Sequence, residues 1–152
     1  MKKYQFRLEP VLKLRKLKEE NCRMELGQLI IHLSKIENQL THDRTEIDNY
    51  FNIQEIALKT GVRGGQLQAF PMLVEAKEKN IQLLLRDKKH QETLIEEKKK
   101  ELAQLRGDLK VMDTMKENDF TDWRKAYNKE VDKNIEEQTQ IWMSHKDKKV
   151  AL

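Results

Sequence analysis

Two stripes that step alternately by four and three residues run through this chain, one on each side of a glycine cluster. The first takes Leu8, Leu12, Arg15, Glu19, Cys22, Leu26, Leu29, Leu33, Ile36, Leu40, Asp43, Ile47 and Tyr50. The second takes Phe70, Val74, Lys77, Ile81, Leu84, Lys88, Gln91, Ile95, Lys98, Leu102, Leu105, Leu109 and Met112. This spacing keeps one line of side chains turned toward a partner helix, so each run predicts a long helix with a narrow seam. Between them, Thr60-Gly61-Val62-Arg63-Gly64-Gly65 is a poor place for a helix to continue. The predicted fold is all-α: two long helices forming one antiparallel coiled-coil hairpin over residues 1–152. Helix 1 is expected at about 10–59, the turn at about 60–69 and helix 2 at about 71–140, followed by a basic C-terminal tail. Pro10 and Pro71 suit first turns, where a missing N–H costs nothing, and Gly61 suits a left-handed helix end.

Composition agrees with a seam and disagrees with a globule. Charged residues make up 37% of the chain and aromatics 6%, which leaves little material for a three-dimensional core. Apolar residues at 38% are too many, and too periodic, for a disordered tail. The net charge of +4 is modest, with lysines and glutamates interspersed as on coiled-coil outer faces. Lys2, Lys3, Arg7, Lys13, Arg15, Lys16 and Lys18 at one end and Lys146, Lys148 and Lys149 at the other would meet in a hairpin. That basic end is either a solvated terminus or a surface steering an acidic partner. Cys22 is the single cysteine, so no internal disulfide is available, which fits a reducing compartment; on the seam it acts as a small apolar filler. There is no apolar N-terminal run of signal-peptide length, and the expected location is cytoplasmic.

The two predicted helices differ in length. With the turn centred near Arg63 and Gly64, Leu8 stands opposite residues 119–120, Asp43 lies near the level of Lys88, and everything after Phe120 overhangs. The overhang is nevertheless apolar along one face, through Phe120, Trp123, Tyr127, Val131, Ile135 and Trp142. Such a stripe calls for a partner: another protein, a second copy, or the N-terminal residues folded over it. Polar residues on the seams, among them Arg15, Glu19, Asp43, Lys77, Lys88, Gln91 and Lys98, either fix the alignment of the helices or mark levels where the pair can bend.

Catalytic signatures are missing from the sequence. The glycine cluster lacks the lysine and preceding strand of a phosphate-binding loop. His32, His42, His90 and His145 are dispersed, and none has a histidine partner four residues away. No catalytic, metal or cofactor residues are assigned, and the expectation is a protein that is not an enzyme and takes no cofactor. The basic runs Lys88-Lys89 and Lys98-Lys99-Lys100 are offset by neighbouring glutamates without interleaved aromatics, which argues against nucleic acid as a partner.

The opening Tyr4-x-Phe6-x-Leu8-Glu9-Pro10-Val11-Leu12-Lys13-Leu14-Arg15-Lys16, followed by Glu19-Glu20, resembles the start of the flagellar export protein FliJ family. The mid-chain glycines, Phe70 and Val74 at the opening of the second helix, and the charged, Trp-containing C-terminal helix agree with it. The resemblance implies a non-catalytic, two-helix stalk of the type III protein export apparatus. Its joined termini would enter the centre of the hexameric flagellar export ATPase, and its tip would meet the cytoplasmic domain of the export gate. Export chaperones are a further partner class attached to such proteins, and virulence type III secretion systems use related stalks. The implied location is cytoplasmic, peripheral to the inner membrane at the flagellar base and held there through partners only. On that footing the residues expected at the ATPase are Leu8, Leu12, Arg15, Lys18, Trp123, Tyr127, Val131 and Ile135; those expected at the gate are Phe70, Val74 and Ile81. Leu8, Leu12, Phe70, Val74 and Ile81 are equally readable as ordinary seam packing. Lys77 departs from the small or apolar residue usual at its slot. The competing readings are a self-associating coiled-coil adaptor and an export chaperone.

Overall fold

A computed structural model of the chain describes residues 2–61 and 63–151. Two long helices dominate it, α1 at Glu9–Thr60 and α3 at Ala69–Val150, with a single short helix, α2 at Gly64–Leu67, in the connection. Among the described residues there is no strand. Helix α1 starts and ends where its punctuation says it should. Pro10 sits in its first turn, and Gly61 closes it with φ +82°, its N–H donating to the Ala57 carbonyl at 3.1 Å. The connection is more ordered than the expected turn, because α2 supplies one helical turn before Pro71 enters the first turn of α3. Helix α3 also continues past the expected end near 140 to Val150. Residues 141–150 contain no glycine or proline to stop it, and Lys148 and Lys149 in the last turn suit the negative end of the helix dipole.

The chain forms two compact units. One comprises Glu20–Gln104, the other Met1–Glu19 with Leu105–Leu152. The Glu20–Gln104 unit is a helical hairpin in which the second part of α1 pairs antiparallel with the first part of α3. Every seam residue named from the sequence in this unit is buried or half-buried; Cys22, Ile36, Leu40, Val74, Ile95 and Leu102 form its driest levels. Each such side chain taken out of water contributes about 1.5–3 kcal/mol before the entropy of ordering is counted.

The alignment in this unit is fixed by polar side chains set into the seam. The Asp43 carboxylate is fully buried. It accepts hydrogen bonds from Asn80, from Gln39 at 2.9 Å and from Lys77 at 3.4 Å, and Lys77 also pairs with Glu46. Burial by itself pushes this carboxyl up, but the hydrogen bonds from Asn80, Gln39 and Lys77 and the lysine charge outweigh it and hold it below the usual range. Lys77 is held above the ordinary lysine value, first by its hydrogen bond to Glu46 and then, against desolvation, by Asp43. Further along, the Gln91 amide donates to the Leu29 carbonyl at 3.2 Å. Lys98 bridges Glu25 at 2.7 Å and Glu101 at 3.0 Å, which keeps its ammonium charged well above the ordinary range.

These pairs correct the alignment expected from the sequence. Lys88 meets Glu37 at 3.7 Å, and the partners of Asp43 are Lys77 and Asn80. Pairs such as Asp43–Asn80 and Glu25–Lys98 are centred close to Gly61, short of Arg63 and Gly64. The reason is that the left-handed glycine ends α1 abruptly, so the chain reverses there and the remaining glycines fall on the returning side.

Two outcomes follow for stability. Asp43→Ala should cost about 2–3 kcal/mol in urea unfolding at neutral pH, because it strips a buried carboxylate from three donors. The Asp43 carboxyl ionises at lower pH when folded than when unfolded, near 3.9, so its contribution is complete above that value and is lost as pH falls through the folded one. Asp43→Asn should therefore differ from the parent at pH 7 and converge with it in acid. At Gly27, a methyl group would meet nothing within 4 Å, so this glycine serves no close approach. Gly27→Ala should raise stability by about 0.5–1 kcal/mol through helix propensity alone, measured by the same unfolding curves.

Candidate functional site

The Met1–Glu19 and Leu105–Leu152 unit carries the residues expected at the ATPase, all eight of them. Within it, α1 pairs with α3 up to the first turn of α1, where the chain leaves helical geometry. Residues 2–6 are outside any helix and lie against α3, where Tyr4 and Phe6 make their contacts. This segment is pinned by polar contacts. Lys116 pairs with Glu9 at 2.7 Å and lies over the Phe6 ring at 6.0 Å. The Tyr4 hydroxyl is 3.1 Å from Asp119 Oδ2 and 3.3 Å from the Lys116 carbonyl, sharing its proton between them. Burial first, then the hydrogen bond to Asp119 and the negative charge of Asp119 and Glu9, push the Tyr4 phenol up, so it remains a neutral donor. Lys116, chiefly by hydrogen bonding, holds Glu9 below the usual carboxylate value.

The contact brings together an aromatic ladder. Tyr4 meets Phe120 edge-on at 5.0 Å and Trp123 at 5.6 Å; Trp123 stacks on Phe120 at 5.9 Å and on Tyr127 at 5.3 Å. Such pairs add about 0.5–1.5 kcal/mol each beyond the area they bury. The i, i+3 and i, i+7 spacing of Phe120, Trp123 and Tyr127 is legible in sequence. Tyr4 was missed as their fourth member because a non-helical segment has no helical period to reveal its partner.

The expected site residues separate by burial. Leu12 is fully buried in the helix pair and offers a partner no surface. Leu8 and Arg15 are half-buried, and Arg15 donates to the Asp108 carbonyl at 3.3 Å; Lys18 is exposed. Trp123 and Val131 are half-buried, while Tyr127 and Ile135 are exposed at 39% and 56%. The stripe therefore opens to solvent beyond the ladder: past the half-buried Val131, residues 132–150 are all exposed, and Ile135, Ile141, Trp142 and Met143 are each more than half exposed. The overhang begins later than expected, after Tyr127, because Tyr4 occupies the level of Phe120 and Trp123.

The three residues expected at the gate lie in the other unit. Val74 is buried and Phe70 and Ile81 are half-buried, so all three take part in seam packing and the latter two keep an exposed edge. Near the turn, Phe51, Ile53, Ile56, Leu58, Met72 and Leu73 are exposed apolar side chains that the seam analysis passed over, since they lie off its stripe.

Among the described residues, no three or more His, Cys, Asp or Glu side chains converge to hold a metal ion, and no helix is long and apolar enough to cross a membrane.

Comparison with known proteins gives one result. The family model described as Flagellar FliJ protein matches residues 4–148, from the Tyr4 that closes the aromatic ladder to the basic end of α3. No curated protein and no solved structure gave a match. With nearly the whole chain matched, and with the paired helices that such a stalk requires, the protein belongs to the flagellar FliJ family, a non-enzymatic component of flagellar type III export.

Proposed function

We propose that this protein is a non-catalytic stalk that binds the centre of the hexameric flagellar export ATPase through the Met1–Glu19 and Leu105–Leu152 unit and couples it to the export gate. The observation that carries this reading is the exposed continuation of α3 beyond Tyr127. There an amphipathic helix follows directly from a rigid aromatic ladder, in a chain of this family. A helix presented this way can enter a pore lined by other helices, its apolar stripe giving affinity and its lysines orienting approach. Trp123, Tyr127, Val131 and Ile135 are assigned to that contact, with Leu8, Arg15 and Lys18 at its flank. Leu12 supports them from inside the helix pair.

Phe70 and Ile81 are assigned to the cytoplasmic domain of the export gate by their exposed edges. Val74 acts beneath them by holding the helix pair together. Placing the two partner surfaces in different units would let one chain engage both at once.

ATP hydrolysis by the cognate export ATPase tests the first contact. The full chain should stimulate turnover. A chain ending at Tyr127 should not, while retaining the helical circular dichroism of the paired segments. Val131→Asp with Ile135→Asp should weaken binding at least about tenfold, since it places charge on the apolar stripe. Phe70→Ala should leave stimulation intact and reduce binding to the gate domain. Full stimulation by the chain ending at Tyr127 would refute the assignment of the overhang.

A further inference from the structure

The exposed part of α3 has two electrostatically opposite halves. Glu130, Asp132, Glu136 and Glu137 stand in the first half against Lys129 and Lys133, and Lys146, Lys148 and Lys149 stand in the second against Asp147 alone. Neither half neutralises itself. Among the described residues, Glu130, Asp132 and Glu136 make no ion pair, nor do Lys148 and Lys149. The ion pair formed within this stretch, among the described residues, is the loose Lys133–Glu137 at 3.9 Å. Ile141, Trp142 and Met143, all more than half exposed, lie between the two blocks, and Ile135 lies within the acidic one. Lys146 covers the Trp142 ring at 5.3 Å, the one cover that ring has in the free helix.

From this arrangement we infer that the exposed part of α3 pairs antiparallel with the same helix of a second copy, making a homodimer in the free protein. In an antiparallel pair each acidic half lies along the partner's basic half, so both blocks of unmatched charge are satisfied at once. A parallel pair would set acid on acid and base on base. Charges flanking a seam set partner and orientation in this way. The arrangement is also self-complementary about a two-fold axis: the patch that one copy presents is the patch that the other receives, so assembly closes at two chains. Gln138 and Thr139, at the middle of the stretch, place hydrogen-bonding groups near that axis. Residues 128–150 span roughly three heptads, a short seam with a polar centre, so the dimer is weak and dissociates on dilution. The inference does not depend on the ATPase assignment. If both are right, the ATPase and the second copy compete for one helix.

Sedimentation equilibrium of the full chain, without any ATPase, tests this. Its mass should rise from one chain toward two as concentration increases, and the transition should move to higher concentration with added salt. Two charge-reversal variants complete the test, one carrying Lys146→Glu, Lys148→Glu and Lys149→Glu, the other Glu130→Lys, Glu136→Lys and Glu137→Lys. Every changed residue is solvent-exposed, so folding should be retained. Each variant alone should stay monomeric over a range at least about tenfold beyond the parent's transition, and an equimolar mixture should recover the two-chain mass. A parent that remains monomeric throughout would overturn the proposal. So would single variants that dimerise as the parent does, a mixture that fails to recover the dimer, or a mass that climbs past two chains.

Discussion

The carboxylate of Asp43 decides which levels of the two helices meet in the Glu20–Gln104 unit. Leucine and isoleucine on a seam favour burial but tolerate a slide of one heptad, because apolar contact has no direction. A buried carboxylate does not tolerate it. Moved by one heptad, Asp43 would lose Asn80 and Lys77, whose places would be taken by Phe70 and Leu73 in one direction or Leu84 and Asp87 in the other, so the buried carboxylate would lose its matched donors. Gln91 on the Leu29 carbonyl and Lys98 on Glu25 impose the same alignment at other levels. Weaker seam packing at these positions is thus exchanged for a single alignment.

The seams themselves were legible residue by residue, since a period of 3.5 needs no partner to be recognised. All thirteen positions of each run face inward. What the sequence did not reveal was the level at which they meet. More than one reversal point fits Thr60–Ala69, and choosing among them requires knowing that, among the described residues, Gly61 is the one in the left-handed conformation. A shift of a few residues in the reversal point separates Lys88 from Lys77 as the partner of Asp43. The candidate site divided along the same line. Phe120, Trp123 and Tyr127 announced a face by their spacing. Tyr4 lies in a non-helical segment whose contacts depend on where α1 begins and how far the chain reaches, and neither is written in a local pattern.

The non-helical segment before α1 shows how little sequence is needed to change which surface is available. A continued helix would have followed α3 at 1.5 Å per residue with its own seam. The segment instead places the Tyr4 ring against Phe120 and Trp123 and holds it by the shared hydroxyl of Tyr4 and the Lys116–Glu9 pair. The aromatic rings then form one rigid level at which pairing stops, so what lies beyond Tyr127 projects from a fixed base.

Beyond that base, α3 persists without tertiary support. Isolated helices are marginal in water, and what sustains this one is its continuity with a nucleated, packed helix, together with a sequence free of glycine and proline from Asp108 to Val150. The helix is therefore ordered yet unsatisfied: its backbone groups are paired, but its apolar stripe and two blocks of charge are not. Any partner that meets them recovers burial and charge neutralisation without first having to order the chain, which removes much of the entropic cost of binding. The same preorganisation would serve either proposed occupant of the helix, the ATPase or a second copy, and relative affinity and concentration would then decide between them.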